Sequence, residues 1–291
     1  MIRVFPTKLL AGLSQRRFLS LSSPVAKARR VLLPKFPLKA KPGRSVRIEL
    51  AEYSDLEMIN KFTHTHFAPL ERSAHGVGVD PQVFYDQLLL PIIETCLHFP
   101  YTTLAFDGDE LVGYHLMNMD RFDEKTYASP RDVDDLEFLK EKACTAYNVT
   151  DENLKFMATV LYYAIHMTPH YLPKREGGQV VAHGEMVCVR KDYKGNALLG
   201  ALLQQGCVAV HEHGFVEYYM GNSTSLATNH SCVELGAEKL WEFMYKDVKF
   251  NGVHVFNKGT IASDEFIALN LGRVEDIVKN DFIQRHTAGL A

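Results

Sequence analysis

Residues 187–203 read VCVRKDYKGNALLGALL, and the order of residue types sets the local structure. Val187, Cys188 and Val189 end an apolar stretch of strand character. The short basic turn Arg190-Lys191-Asp192-Tyr193-Lys194-Gly195-Asn196 follows. From Ala197 onward the spacing of Leu199, Leu202, Leu203 and Val210 is helical, and Gly214 supplies a C-terminal stop. A strand that runs through a basic, glycine-containing turn into a helix is a place for an anionic phosphate. The first turn of such a helix offers unpaired N–H groups and the positive end of the helix dipole.

Working outward, residues 180–189 form one strand and residues 215–220 another, so the helix at 197–213 is a crossover between them. His183 and Glu185 stand two apart on the upstream strand and share a face. Toward the N-terminus, residues 45–52 alternate as a strand. Ser54 or Asp55 then caps a helix carrying Leu56, Ile59, Phe62 and Phe67. A second helix is expected over 81–97, with Pro81 in its first turn. Residues 102–106 and 111–119 form a hairpin about Asp107-Gly108-Asp109. Charged helical segments follow at 132–146 and 151–167. Past the crossover, residues 223–235 are helical, and strands are expected at 241–248 and 252–257. This order predicts an α+β (mixed α/β) domain over residues 45–291, with a helical insertion at about 120–179.

Composition bounds the class. The chain has 291 residues, 46% hydrophobic and 23% charged, which suits a globular protein with a sizeable core. No run approaches the ~18–20 apolar residues of a membrane span. The five cysteines, Cys96, Cys144, Cys188, Cys207 and Cys232, are odd in number and form no C-x-x-C pair. Reduced thiols are therefore expected, with no zinc site and no disulfide framework.

Charge is distributed unevenly. Twelve of the 32 Lys and Arg residues precede the first acidic residue, Glu49, which leaves 20 basic against 35 acidic residues in the remainder. The N-terminal stretch also carries Ser14, Ser20, Ser22 and Ser23 and interleaves Phe5, Leu9, Leu10, Leu13, Phe18 and Leu19 with its cations. An acid-free, Arg- and Ser-rich, amphipathic N-terminus has the composition of a mitochondrial transit peptide. Residues 1–40 are accordingly assigned to targeting and linker, with a matrix location expected and a cytoplasmic one as the alternative. A basic arm that touches nucleic acid or lipid is the competing reading of the same residues.

The order of elements resembles the fold of the GCN5-related N-acetyltransferase (GNAT) superfamily, a mixed, mostly antiparallel sheet flanked by helices. Within it the chain is most similar to the arylalkylamine N-acetyltransferase branch. The residues that carry the resemblance are Phe67-Ala68-Pro69-Leu70, the long helical insertion before the fourth strand, Leu235-Gly236-Ala237, and the segment Phe243-Met244-Tyr245. The family cradles the acetyl-CoA pyrophosphate with [Gln/Arg]-x-x-Gly-x-[Gly/Ala], a register that falls on Lys194, Gly195, Asn196, Ala197, Leu198 and Leu199. Ala197 and Leu199 replace the expected small residues. Val187, Cys188 and Val189 fall where the family's strand bonds the pantetheine arm.

The resemblance implies direct acetyl transfer from acetyl-CoA, as co-substrate, to a small primary amine. The ammonium must lose a proton before nitrogen attacks, and the departing thiolate must gain one. His183, with an ordinary pKa near neutrality, is the first candidate base, and Glu185 its partner. Cys232 and Ser231, with Thr228 nearby, are candidates for the acid. The amine branch carries Asp-Glu before its Pro-Leu step, where this chain has Phe67 and Ala68. Glu71 and Arg72 follow the step instead. An alternative reading keeps the fold as a CoA-free scaffold, and another uses a different acyl donor or an amino-acid acceptor.

Overall fold

The computed structural model describes residues 29–129, 136–259 and 265–290. Residues 1–28, which hold most of the expected targeting segment, lie outside the described residues, as does the acidic run Asp132 to Asp135. Strands β1 (Val31–Pro37) and β2 (Ser45–Leu50) lead into helices α1 (Leu56–His66), α2 (Arg72–Val77) and α3 (Pro81–Phe84). A π-helical turn, Tyr85–Leu89, joins α3 to α4 (Leu90–Cys96). Pro91 explains that turn: it has no N–H to donate and would crowd the carbonyl four residues back, so the helix widens ahead of it. The hairpin β3 (Thr103–Asp107) and β4 (Glu110–Phe122) follows, then α5 (Glu124–Tyr127), α6 (Leu136–Tyr147) and α7 (Glu152–Met167) of the insertion. The crossover is β5 (Gln179–Val189), α8 (Leu198–His213) and β6 (Tyr218–Ser223). The chain closes with α9 (Leu226–Glu234), β7 (Glu238–Met244), the short β8 (Lys249–Phe250) and β9 (Val253–His254), β10 (Phe266–Arg273), α10 (Val274–Lys279) and α11 (Phe282–Thr287).

Eight strands form one sheet in the order β1-β2-β3-β4-β5-β6-β10-β7. Every pairing in it is antiparallel except β5 with β6. That parallel contact is short, running from Val181 opposite Tyr218 to Gly184 opposite Gly221. Beyond Gly184, β5 pairs only with β4 while β6 continues along β10. The sheet is therefore split between its fifth and sixth strands. Helix α8 covers one face, with Leu202, Leu203, Cys207 and Val210 fully buried. Gly200 permits α11 to approach, because a Cβ there would lie 2.3 Å from the Phe282 ring.

Two boundaries differ from the sequence expectation. The folded body begins before Ser45, because β1 forms an edge strand against β2 and extends into the stretch assigned to linker. Pro34 and Pro37 are tolerated there because an edge strand leaves one row of ladder positions unused. Arg29 anchors this segment: its guanidinium bonds both oxygens of the buried Asp55, Nη2 to Oδ1 at 2.6 Å, and lies 3.5 Å from Glu49. At the other end, residues 252–257 do not join the sheet; Val253 and His254 belong to a two-residue hairpin of their own. The strand that completes the sheet is β10, inserted between β6 and β7.

Candidate active site

The split in the sheet opens into a cleft of about 540 Å³. Its walls are residues 187–189 of β5, the turn and first residues of α8, the start of α9, and parts of α11 and α1. All nine residues assigned to the cofactor from sequence, Val187, Cys188, Val189, Lys194, Gly195, Asn196, Ala197, Leu198 and Leu199, line this one cavity. Past Gly184 the ladder groups of β5 that face away from β4 have no strand partner among the described residues, so they are available to a ligand.

The turn holds its shape by backbone conformation. Gly195 has φ +79° and Ala197 has φ +57°, ψ +13°, both left-handed, with Ala197 at the N-cap of α8. The cap makes no side-chain hydrogen bond, so the first N–H groups of α8 face the cleft without a protein acceptor from that residue. Alanine at the position where the family has glycine has kept a glycine-like conformation, at a cost of about 1 kcal/mol. Asn196 works differently from its neighbours. Its buried side chain accepts from the Ala40 N–H at 2.6 Å and donates to the Tyr193 carbonyl at 2.9 Å, so it staples the turn to the β1–β2 connection.

The basic residues of the turn are unequal. Arg190 is committed to Glu110 and Asp192. Lys41 reaches Asp192 at 2.8 Å and lies 3.5 Å from the Tyr193 ring centre. Lys194 and Lys39 both line the cleft and form no ion pair among the described residues. Lys39 comes from the segment that sequence reasoning had assigned to linker.

Helix α9 separates the two acid candidates. Ser231 and Thr228 line the cleft. Cys232 is 1% exposed and packs in the core with Tyr219 and Leu235. Burial pushes its thiol up to about 12. The cysteine expected from sequence as a candidate acid is therefore a core residue that does not line the cleft, unlike Ser231.

His183 and Glu185 are brought together, but not as an isolated pair. Leu116 of β4 faces Met186 while Met117 faces Gly184, so Glu185 is the extra residue of a β-bulge. The bulge turns the Glu185 carboxylate back onto His183, with Oε1 3.2 Å from Nδ1. Asn118, opposite His183, and Asp120, two residues on, share the same face of β4. Asp120 Oδ2 lies 2.8 Å from His183 Nδ1, and Asn118 Nδ2 donates to Glu185 Oε1 at 3.2 Å. Burial opposes the imidazole's charge, but Glu185 and Asp120 outweigh it and push its pKa up to about 10. Burial likewise opposes ionisation of Glu185, and the imidazolium outweighs that, holding its pKa low. The two carboxylates thus favour the charged form of His183, and the imidazole expected from sequence to act as a free base is buried and engaged at both nitrogens. Asn222 lies 3.2 Å from Nε2 through its amide, whose Oδ1 is otherwise unpaired. An imidazolium donates from Nε2, so the amide oxygen is the partner that fits.

A further carboxylate lines the cleft, Glu71. Residues Ala68–Leu70 form a single 3-10 turn, after which Glu71 caps α2, accepting from Ser73 N at 3.3 Å and Ser73 Oγ at 2.5 Å. It lines the large cleft and also a second, smaller chamber of about 50 Å³ that contains His183, Glu185, Asn222 and Thr224. Burial raises its pKa above the ordinary glutamate value, against the pull of its Ser73 hydrogen bonds. A carboxylate held above its ordinary pKa and bordering two cavities is a candidate for proton exchange with a ligand. Sequence spacing left it three residues past the position of the family glutamate; the signal that places it is its N-cap geometry.

No protein-family model and no curated relative matches the chain. Solved structures do. The mosquito arylalkylamine N-acetyltransferase-like 5b superposes with a TM-score of 0.57 at 16% identity, over 79% of this chain and 100% of that one. Arylalkylamine N-acetyltransferase 2 of Aedes aegypti gives 0.58 at 15%, over 79% and 99%. The polyamine N-acetyltransferase of Drosophila melanogaster, which forms N-acetylagmatine, gives 0.60 at 14%, over 78% and 99%. The chain has the GCN5-related N-acetyltransferase fold, in the form taken by the arylalkylamine N-acetyltransferases.

Proposed function

We propose that the chain is an acetyltransferase that moves an acetyl group directly from acetyl-CoA to a small primary amine. The observation that carries the reading is the meeting of three features in one cleft: the one-sided edge of β5, the uncapped N-terminus of α8, and the upshifted carboxylate of Glu71. The β5 edge supplies main-chain groups for the pantetheine amides and an N–H for the thioester oxygen as it gains charge. The first turn of α8, with Lys194 and Lys39, holds the phosphates. Glu71 takes a proton from the substrate ammonium, the freed nitrogen bonds to the thioester carbon, and the C–S bond breaks with its electrons on sulfur as the nitrogen releases its second proton, which goes on to the thiolate. Ser231 is the cleft hydroxyl available to pass a proton to that thiolate. No step needs a covalent acyl-enzyme, since Cys188, the cysteine in the cleft, has a pKa pushed up to about 12 by burial.

The fold neighbours that act on amines support the reading. The test is thiol release by the full chain with acetyl-CoA and a panel of primary amines, alongside a calorimetric titration with CoA. Amine-dependent thiol release is expected; binding of CoA with no release by any amine would sink the reaction, and no CoA binding would sink the whole site.

A further inference from the structure

The small chamber behind Glu71 has two kinds of wall. One is apolar and comes from the helices before β3 and from the insertion: Phe84, Leu88 and Ile92 on one side, Met157 and Leu161 of α7 on the other. The other is the charged floor of His183 and Glu185, with Asn222 beside them and Asp120 behind. Two carboxylates against one imidazolium leave this floor with a net charge of about −1, held largely out of water. Glu185 spends Oε1 on His183 and Asn118, and its Oε2 has no hydrogen-bond partner among the described residues. His183 by contrast has both ring nitrogens engaged. A partly buried surplus carboxylate oxygen facing a cavity lacks one thing, a cation.

We propose that the amine acceptor carries a second cationic group, bound at Glu185 in this chamber while its reacting amine stands at Glu71. The inference rests on the acetyl-transfer reading above and names the substrate class for it. Glu71 borders both cavities, so one acceptor can present one end to each. A volume of about 50 Å³ accommodates only on the order of three or four water-sized groups. The occupant is therefore an ammonium with a few methylenes, and the apolar wall is suited to sheathe those methylenes. Asp120 and His183 act as positioning residues: Asp120 holds His183, and His183 with Asn118 holds Glu185 by Oε1, which leaves Oε2 for a ligand.

The test compares length-matched acceptors on the full chain with acetyl-CoA: 1,4-diaminobutane against butylamine, and 1,3-diaminopropane against propylamine. The kcat/KM of the diamine should exceed that of its monoamine by about tenfold or more, and Glu185→Gln should bring the two close to parity. Should Glu185→Gln fail to fold, Asp120→Asn, behind the floor, is expected to reduce the preference in the same direction. Equal use of diamine and monoamine overturns the inference and leaves acetyl transfer standing. No turnover with any amine overturns the reaction instead. Calorimetry of 1,4-diaminobutane with the CoA-bound chain then decides the subsite by whether Glu185-dependent heat is present. Ligand atoms of Asp120, His183 and Glu185 lie within 4.8 Å of one another. A rise in denaturation temperature with zinc or manganese ions alone, lost in Glu185→Gln, would make this a metal site and overturn the proposal.

Discussion

Strand β5 consists of two unlike halves that meet at Gly184 and Glu185. The half that begins at Gln179 is paired on both sides, and its chemistry lies in side chains that must meet partners from β4 and β6. The half that ends at Val189 is paired on one side only, and what it offers a ligand is main chain. Its side chains, Val187, Cys188 and Val189, need only pack. The contrast explains which departures from a family pattern matter. In the main-chain half, Ala197 replaces glycine yet keeps the left-handed turn, because N–H groups survive any side chain but proline. In the side-chain region chemistry depends on which residue stands at each position, and here Ala68 offers no carboxylate while Glu71, three residues later, lines the cleft from the cap of a helix.

Three measurements would sharpen or break that contrast. The largest effect is expected at Glu71. Glu71→Gln should lower kcat by about 10²–10⁴ while CoA affinity changes little. In the parent chain, activity should rise with pH through a limb set above the ordinary carboxylate range, because burial raises the Glu71 pKa; that limb should vanish in the variant. A loss smaller than about tenfold would remove Glu71 from proton transfer.

The next effect lies in the buried cluster and is read as stability against pH. His183 has a folded pKa raised from 6.5 to about 10. Its contribution is therefore complete below about 6.5 and fades as pH climbs through about 10. Between those limits the chain should lose on the order of 4 kcal/mol more than His183→Gln loses, by urea denaturation. Parallel curves for the two proteins would mean that His183 is not an imidazolium.

The smallest effect belongs to the main-chain half. Ala197→Gly should relieve the left-handed strain at φ +57° and stabilise the fold by about 1 kcal/mol, with CoA affinity changed by less than about threefold. A large loss of CoA affinity would show that the Ala197 methyl, not the turn's backbone, holds the cofactor.

Local pattern made part of this legible in the sequence. The β5–α8–β6 crossover, the β3–β4 hairpin and the cleft-lining turn follow from periodicity and turn residues within short windows. Strand β10 did not, because it is buried along nearly its whole length and shows no alternation. Strand β1 was hidden by its prolines and by the basic composition around it. The site divided along the same line. A turn defined by its backbone is written in consecutive residues, whereas the surroundings of His183 depend on Asp120, 63 positions away, and on a bulge no local spacing announces. Cys232 failed as an acid for a related reason: sequence placed it on the correct helix, and only packing shows that it faces inward.

The anchoring of Arg29 has a consequence for maturation. Proteolytic removal of the whole basic stretch to residue 40 would leave Asp55 as a buried carboxylate without its cation, while Glu49 would keep Arg47, a loss on the order of 3 kcal/mol. It would also strip β1 from the sheet edge and take away Lys39 and the Ala40 N–H that secures Asn196. The fold therefore limits how far the N-terminus can be trimmed: a cut beyond Arg29 removes the partner of Asp55, and a cut beyond residue 40 removes one wall of the turn ahead of α8.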